Sequence, residues 1–187
     1  MFDKERFIHD CINALPDGAG AIRELVQETV AHRAALFREL GIPKHAGVTP
    51  LYQSAELTII NFVWAPWMSL MPHNHQMFAV IGIYSGREDN ILWQRSDRAI
   101  EAVGARSLGT GDVAMLDDTS IHSVTNPISK MTCAIHVYGG DFFHPTRPRS
   151  EWDHETLSER PWDIDHVKAV FRDAEARFEC SGKPLLT

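Results

Sequence analysis

The sequence predicts a mainly β protein, an antiparallel sandwich or barrel with helices at both ends. Three observations predict it. Short apolar runs rich in β-branched and aromatic residues recur between residues 57 and 138. Turn residues separate these runs, and no helical crossover intervenes. With 187 residues, 44% hydrophobic and 23% charged, the chain reads as a single domain, 1–187, large enough to bury a core.

Residues 1–42 form a predicted helical segment of two helices. Phe7, Ile8, Cys11, Ile12 and Leu15 repeat at helical spacing, and Pro16-Asp17-Gly18 closes that run. Ile22, Leu25, Val26, Val30, Leu36, Phe37 and Leu40 continue the period until Gly41 and Pro43 stop it. Residues 50–140 form the predicted barrel. Its strand candidates are Leu57 to Trp64, Met77 to Tyr84, Asn90 to Gln94, Val113 to Leu116 and Met131 to Tyr138, with turns at Ser85-Gly86, Gly109-Thr110-Gly111 and Asn126-Pro127. Residues 141–187 supply an irregular covering loop and a last helix. That helix carries Ile164, Val167, Val170, Phe171, Ala174 and Phe178 on one face behind an Asp163 cap.

Several classes are excluded at this level. A net charge of −7 without a basic stripe argues against nucleic acid and anionic membrane as partners, and no basic helix-turn-helix segment is visible. No apolar run reaches membrane-spanning length, and Met1 to Arg6 lacks the blocks of a secretory signal. The odd, scattered Cys11, Cys133 and Cys180 form no disulfide framework, which places the protein in the reducing cytoplasm. Monomer and small homo-oligomer both remain open.

Chemistry concentrates in His73-Asn74-His75, in His122 behind Gly111-Asp112, and in His136-Val137-Tyr138. Histidines two apart on a strand share a face. A third imidazole from another strand would give three neutral nitrogen ligands with coordination positions open, the pattern of a catalytic metal. The bland alternative is a set of packed, hydrogen-bonded histidines. Met71-Pro72 breaks the strand before the pair, and Gly82 and Gly86 suit a bend and a turn. His136 and Tyr138 face one way on their predicted strand.

These residues resemble the motifs of the cupins, the jelly-roll β-barrel superfamily. Pro72-His73-Asn74-His75 with Gly86 matches the first motif, and Gly111-Asp112 with His122 the second; Ala79 and Val80 stand where the family carries a glutamate. Three-histidine cupins without that carboxylate look like the thiol dioxygenases. Ile121-His122-Ser123-Val124-Thr125-Asn126-Pro127 and Ile135 to Asp141 closely resemble bacterial members of the cysteine dioxygenase family, and the likeness runs through Trp152.

The resemblance implies a non-heme iron enzyme that adds both atoms of O₂ to a thiol, giving a sulfinic acid. His73, His75 and His122 would bind Fe(II); spacing alone does not separate iron from zinc. Three neutral ligands would leave the full +2 charge, favouring an anionic thiolate. Tyr138 would donate a hydrogen bond to the bound thiolate and oxygen species, with His136 orienting it. Ala134 replaces a family serine two residues before His136, shortening the relay.

The substrate's carboxylate needs a cation. Members resembling 3-mercaptopropionate dioxygenase pair a glutamine on an early strand with an arginine nine residues after the tyrosine. Here these are Gln53 and Arg147, with Arg149 as the alternative if the register slips by two. The expected substrate is therefore a 3-mercaptopropionate-like thiol acid, with cysteine as competitor. A cupin metalloenzyme of non-thiol chemistry and a noncatalytic small-ligand binder are the readings from other classes. Of the remaining residues, Trp64, Trp67 and Trp93 are expected in the core, with Trp67 and Phe78 as candidate pocket walls, and Cys11, Cys133 and Cys180 as buried apolar groups.

Overall fold

Helices α1 (Lys4–Ala14), α2 (Ala19–Ala31) and α3 (Arg33–Leu40) open the chain. Strands β1 (Gly47–Gln53), β2 (Thr58–Trp64), β3 (Ser69–Asn74), β4 (Ala79–Ser85) and β5 (Arg87–Arg95) follow. Next come β6 (Ile100–Gly109), β7 (Val113–Leu116), β8 (Ile121–Thr125) and β9 (Thr132–Tyr138). A short hairpin of β10 (Ser150–Trp152) and β11 (Glu159–Pro161) leads into helix α4 (Ile164–Cys180). This computed structural model describes residues 2–97 and 99–180, without the side chains of 179 and 180.

The strands form two antiparallel sheets, β1-β2-β9-β4-β7 and β11-β10-β3-β8-β5-β6. From β2 to β9 the chain crosses repeatedly between sheets, leaving orders 2-9-4-7 and 3-8-5-6. That double interleaving is the jelly-roll, or double-stranded β-helix, barrel of the cupin fold. No helix among the described residues is long and apolar enough to cross a membrane.

The five-stranded sheet is covered on both faces, so β2, β4 and β9 are almost continuously buried. Side-chain parity divides them between two cores. Ile60, Phe62 and Trp64, with Ala79, Ile81 and Ile83, point into the barrel, where Val167, Phe171 and Ala174 of α4 join the same core. Ile59, Val63, Val80, Tyr84, Cys133, Ile135 and Val137 point outward onto Phe7, Cys11, Ile22, Val26 and Leu36 of the N-terminal helices. On β9 the same parity sends Ala134 and Tyr138 into the barrel core. Asp163 caps α4 as expected, its Oδ1 accepting the Asp165 N–H at 2.9 Å.

Four local expectations change. The second helical run is two helices, because His32 leaves helical geometry (φ −103°, ψ 45°) and its carbonyl accepts the Ala35 and Leu36 N–H groups. Pro72 does not end its strand; the β3–β8 register shifts between Leu70 and His73, and the bulge absorbs a residue that lacks an N–H. Gly82 lies inside β4 rather than at a bend, where a Cβ would collide with Val26 and Val30 of α2. Trp67 is 58% exposed at φ 59° and belongs to no core, whereas Trp64 is buried. Cys133 is buried as expected, and the Cys180 side chain lies outside the described residues.

Candidate metal centre

Cross-strand register places two of the three histidines. β3 and β8 pair antiparallel with His73 directly opposite His122, and His75 follows one residue beyond the end of β3. Gln76 turns the backbone away at φ 56° just after it. One ring nitrogen from each histidine comes within 4.8 Å of the other two, and the Nε2 atoms of His75 and His122 are 3.4 Å apart. All three rings are buried. Among the described residues this is the one such cluster of histidine, cysteine and acidic side chains.

Two of the three rings are held through their second nitrogen. His73 Nδ1 donates to the Met71 carbonyl at 2.9 Å, exposed to it by the bulge around Pro72. His122 Nδ1 donates to Asn90 Oδ1 at 2.7 Å, and Asn90 Nδ2 donates to Glu88 Oε1 at 3.1 Å. Fixing a metal-binding imidazole through its second nitrogen sets both tautomer and ring orientation. His75 Nδ1 has no partner.

Burial, reinforced by neighbouring rings, holds His73 and His75 well below the ordinary histidine value and pulls His122 down to about 3. The three imidazoles are thus uncharged at neutral pH, the form that binds metal. With no carboxylate in the cluster, the all-imidazole donor set fits a divalent transition-metal ion of intermediate softness.

Tyr138 and His136 adjoin the cluster. The Tyr138 ring packs edge-on against His75 with centroids 5.1 Å apart, and its hydroxyl is 3.0 Å from His136 Nδ1. Phe62 covers His136 at 4.4 Å between centroids. Burial raises the Tyr138 phenol well above its ordinary value, so it stays a neutral hydroxyl.

Of the two arginines weighed from the sequence, Arg149 is the one at the cluster. Its Nε donates to the carbonyl of Asn74, the residue between His73 and His75, at 3.0 Å. Its Nη1 donates to the Phe142 carbonyl at 3.1 Å, while Nη2 is buried without a hydrogen-bond partner. The guanidinium packs against Phe142 and Trp162, 4.4 and 4.1 Å from their centroids, and the two rings stand nearly perpendicular to each other at 81°. Trp162 in turn packs on His73 at 5.1 Å. Desolvation draws Arg149 down to about 10, so it keeps its charge at neutral pH.

The structure does not bring Arg147 or Gln53 to the histidines. Arg147 is half exposed, bonded to the Gln76 carbonyl and to Asp118 Oδ2 at 2.9 Å. It lines a cavity of about 730 Å³ with Gln76, Phe78 and Asp118, and none of the three histidines lines it. Gln53, at the exposed end of β1, donates to Asp141 Oδ1 at 2.8 Å.

Glu88, Asn90, Phe142 and Trp162 were not selected from the sequence. The signal for the first two is alternation: Glu88 and Asn90 are the buried polar positions of β5, between exposed or half-buried Arg87, Asp89 and Ile91. Polar residues on the inward face of a barrel strand mark a site.

No family model matches the chain. A protein with a double-stranded β-helix domain from Klebsiella pneumoniae is 12% identical, with 54% of this chain and 76% of that one covered and a TM-score of 0.43. A cupin-family protein from Methanocaldococcus jannaschii is 14% identical, covering 54% and 85%, with a TM-score of 0.43. A Bacillus halodurans protein is 11% identical, covering 66% and 80%, with a TM-score of 0.48. The barrel assignment rests on this chain's own strand order and register. On that barrel His73, His75 and His122 form a cluster able to hold a metal ion.

Proposed function

We propose that the chain is an Fe(II)-dependent thiol dioxygenase that converts a small thiol carboxylic acid and O₂ to the sulfinic acid. A 3-mercaptopropionate-like thiol is the preferred substrate and cysteine the competitor. One observation carries the reading: Arg149 is a buried cation with a free N–H edge, anchored to the peptide between two metal-ligating histidines. An unpaired buried donor of that kind calls for an acceptor, and a carboxylate fills the fork.

Bound at His73, His75 and His122, Fe(II) would supply the centre at which thiol sulfur and O₂ meet. The residues around it do the rest. Arg149 holds the carboxylate, and the Phe142 and Trp162 rings pack against its guanidinium from two directions. Tyr138 hydrogen-bonds the sulfur, and His136 holds the phenol. Phe142, packed 4.5 Å from Tyr138 between ring centroids, excludes water from the reacting atoms. Arg147 lies away from the histidines on the cavity it lines, and Gln53 is tied to that cavity only through Asp141. Free Cys11 and Cys133 suit a reducing cytoplasm.

The test is reconstitution with Fe(II) under anaerobic conditions, then O₂ uptake and sulfinate formation with 3-mercaptopropionate, cysteine, cysteamine and mercaptosuccinate. Stoichiometric sulfinate from the carboxylated thiols is expected. Cysteamine turned over as well as 3-mercaptopropionate would remove the carboxylate clamp. No turnover of any thiol would remove the dioxygenase reading in favour of non-thiol cupin chemistry or a binding role.

A further inference from the structure

Glu88 is wholly buried, and its ion-pair partner among the described residues is His136 rather than a lysine or arginine. A buried carboxylate costs several kcal/mol unless its oxygens find donors. Oε1 has one in Asn90 Nδ2. Oε2 has none, and it lies 3.8 Å from His136 Nε2, which is also buried without a hydrogen-bond partner. Closing that gap by about 1 Å would satisfy both atoms with one N–H···O bond. The strand of His136 offers nothing in competition: Ala134, the next residue on the same face, has no polar side-chain atom.

We propose that Glu88 is a positioning residue whose Oε2 accepts the Nε2–H of His136, leaving Nδ1 bare to accept the Tyr138 hydroxyl. The inference rests on the dioxygenase reading for its consequence but not for its geometry. Because a ring nitrogen either carries a proton or accepts one, fixing Nε2–H fixes the direction of the 3.0 Å His136–Tyr138 bond. The Tyr138 oxygen then presents lone pairs, ready to accept the S–H of an arriving thiol, in place of the donation to thiolate that the family resemblance implies. The same carboxylate, through Asn90, also fixes His122. One side chain thereby orients a metal ligand with one oxygen and the Tyr138 support with the other.

The experiment reads the tautomer directly. Protein with ¹⁵N-labelled histidine is loaded with diamagnetic Zn(II), and two-bond and three-bond proton–nitrogen correlations are recorded, with His136→Gln identifying the His136 signals. The expected result in the unaltered sequence is a protonated Nε2 and a bare Nδ1. A protonated Nδ1 overturns the proposal, and this measurement needs no variant to fold and no substrate to turn over. Glu88→Gln supplies the second arm. Its amide oxygen can keep the Asn90 bond while its NH₂ faces His136, so the tautomer should invert with the fold intact. In Fe(II)-loaded E88Q, kcat should fall roughly 10–100-fold with KM nearly unchanged. An uninverted tautomer or an unchanged kcat in E88Q also overturns it. If no thiol is oxidised by either protein, the tautomer still decides the role of Glu88, while the enzymatic reading fails separately.

Discussion

Asn90 Oδ1 accepts the Nδ1–H of His122 at 2.7 Å, and both side chains are buried. The amide decides which nitrogen of His122 faces the other two imidazoles. Asn90→Leu keeps the volume and removes the acceptor, and it should weaken metal binding roughly 10–100-fold. Competition against a chromophoric chelator measures it. An unchanged affinity would show that packing alone orients His122.

Arg149→Lys keeps the charge and loses the fork, and with it the bonds to the Asn74 and Phe142 carbonyls. A charge-assisted bond contributes about 1.5–3 kcal/mol, so KM for 3-mercaptopropionate should rise at least about tenfold. Arg147→Ala, which removes a half-exposed partner of Asp118, should leave KM within about twofold, as exposed pairs contribute little. The reverse ranking of the two variants would return the clamp to Arg147.

Gly82 faces α2 so closely that a Cβ there would stand 2.8 Å from Val30 Cγ1 and nearer still to Val26. Gly82→Ala should therefore cost about 1–3 kcal/mol through overpacking. Gly104→Ala in β6, where the nearest atom is Leu92 Cδ1 at 3.9 Å, should not destabilise the fold. Urea midpoints at matched m-values settle both.

Burial pushes the Cys11 thiol up to about 12 and Cys133 up to about 11, so neither forms appreciable thiolate at pH 8. Native protein treated with iodoacetamide should show both cysteines unmodified by peptide mapping, and denatured protein should show both alkylated. Rapid labelling of either in the native state would contradict the packing of the helices on the sheet.

The metal-free protein should lose stability in acid before its carboxylates titrate. His73, His75 and His122 are held below 6.5 in the folded state, His122 at about 3, and return to ordinary values on unfolding. The unfolded chain then binds more protons, so stability is full above pH 6.5 and falls as pH drops towards 3. Denaturant melts of metal-free protein across that range should show a falling midpoint. A flat profile would mean that the imidazoles are solvated.

Barrel class, the three histidines, and the shared strand of His136 and Tyr138 were all legible in the sequence. Period-2 parity and turn residues carry that information locally. What escaped depends on contacts the chain makes with itself at long range. β6 has one strongly buried residue near each end and exposed ones between, so no apolar pattern announces it. β1 and β3 each contain a proline, at Pro50 and Pro72, which the register irregularities accommodate. Arg149 and Arg147 look alike in sequence, and only the fold shows which guanidinium Phe142 and Trp162 enclose. Glu88 reads as one charge among several until the pairing of β5 with β8 sets its strand beside His122.

β10 meets β3 at a single register pair, Glu151 opposite His73. Glu151 is itself buried and held by Arg160 and His166, so the covering hairpin is latched at the residue opposite His73. Arg149 enters that hairpin two residues earlier. On the proposed reading, the ion held through His73 and the Arg149 guanidinium would sit on neighbouring, paired segments of backbone. Their separation would then work as a fixed ruler, selecting a thiol acid by the number of carbons between its sulfur and its carboxylate.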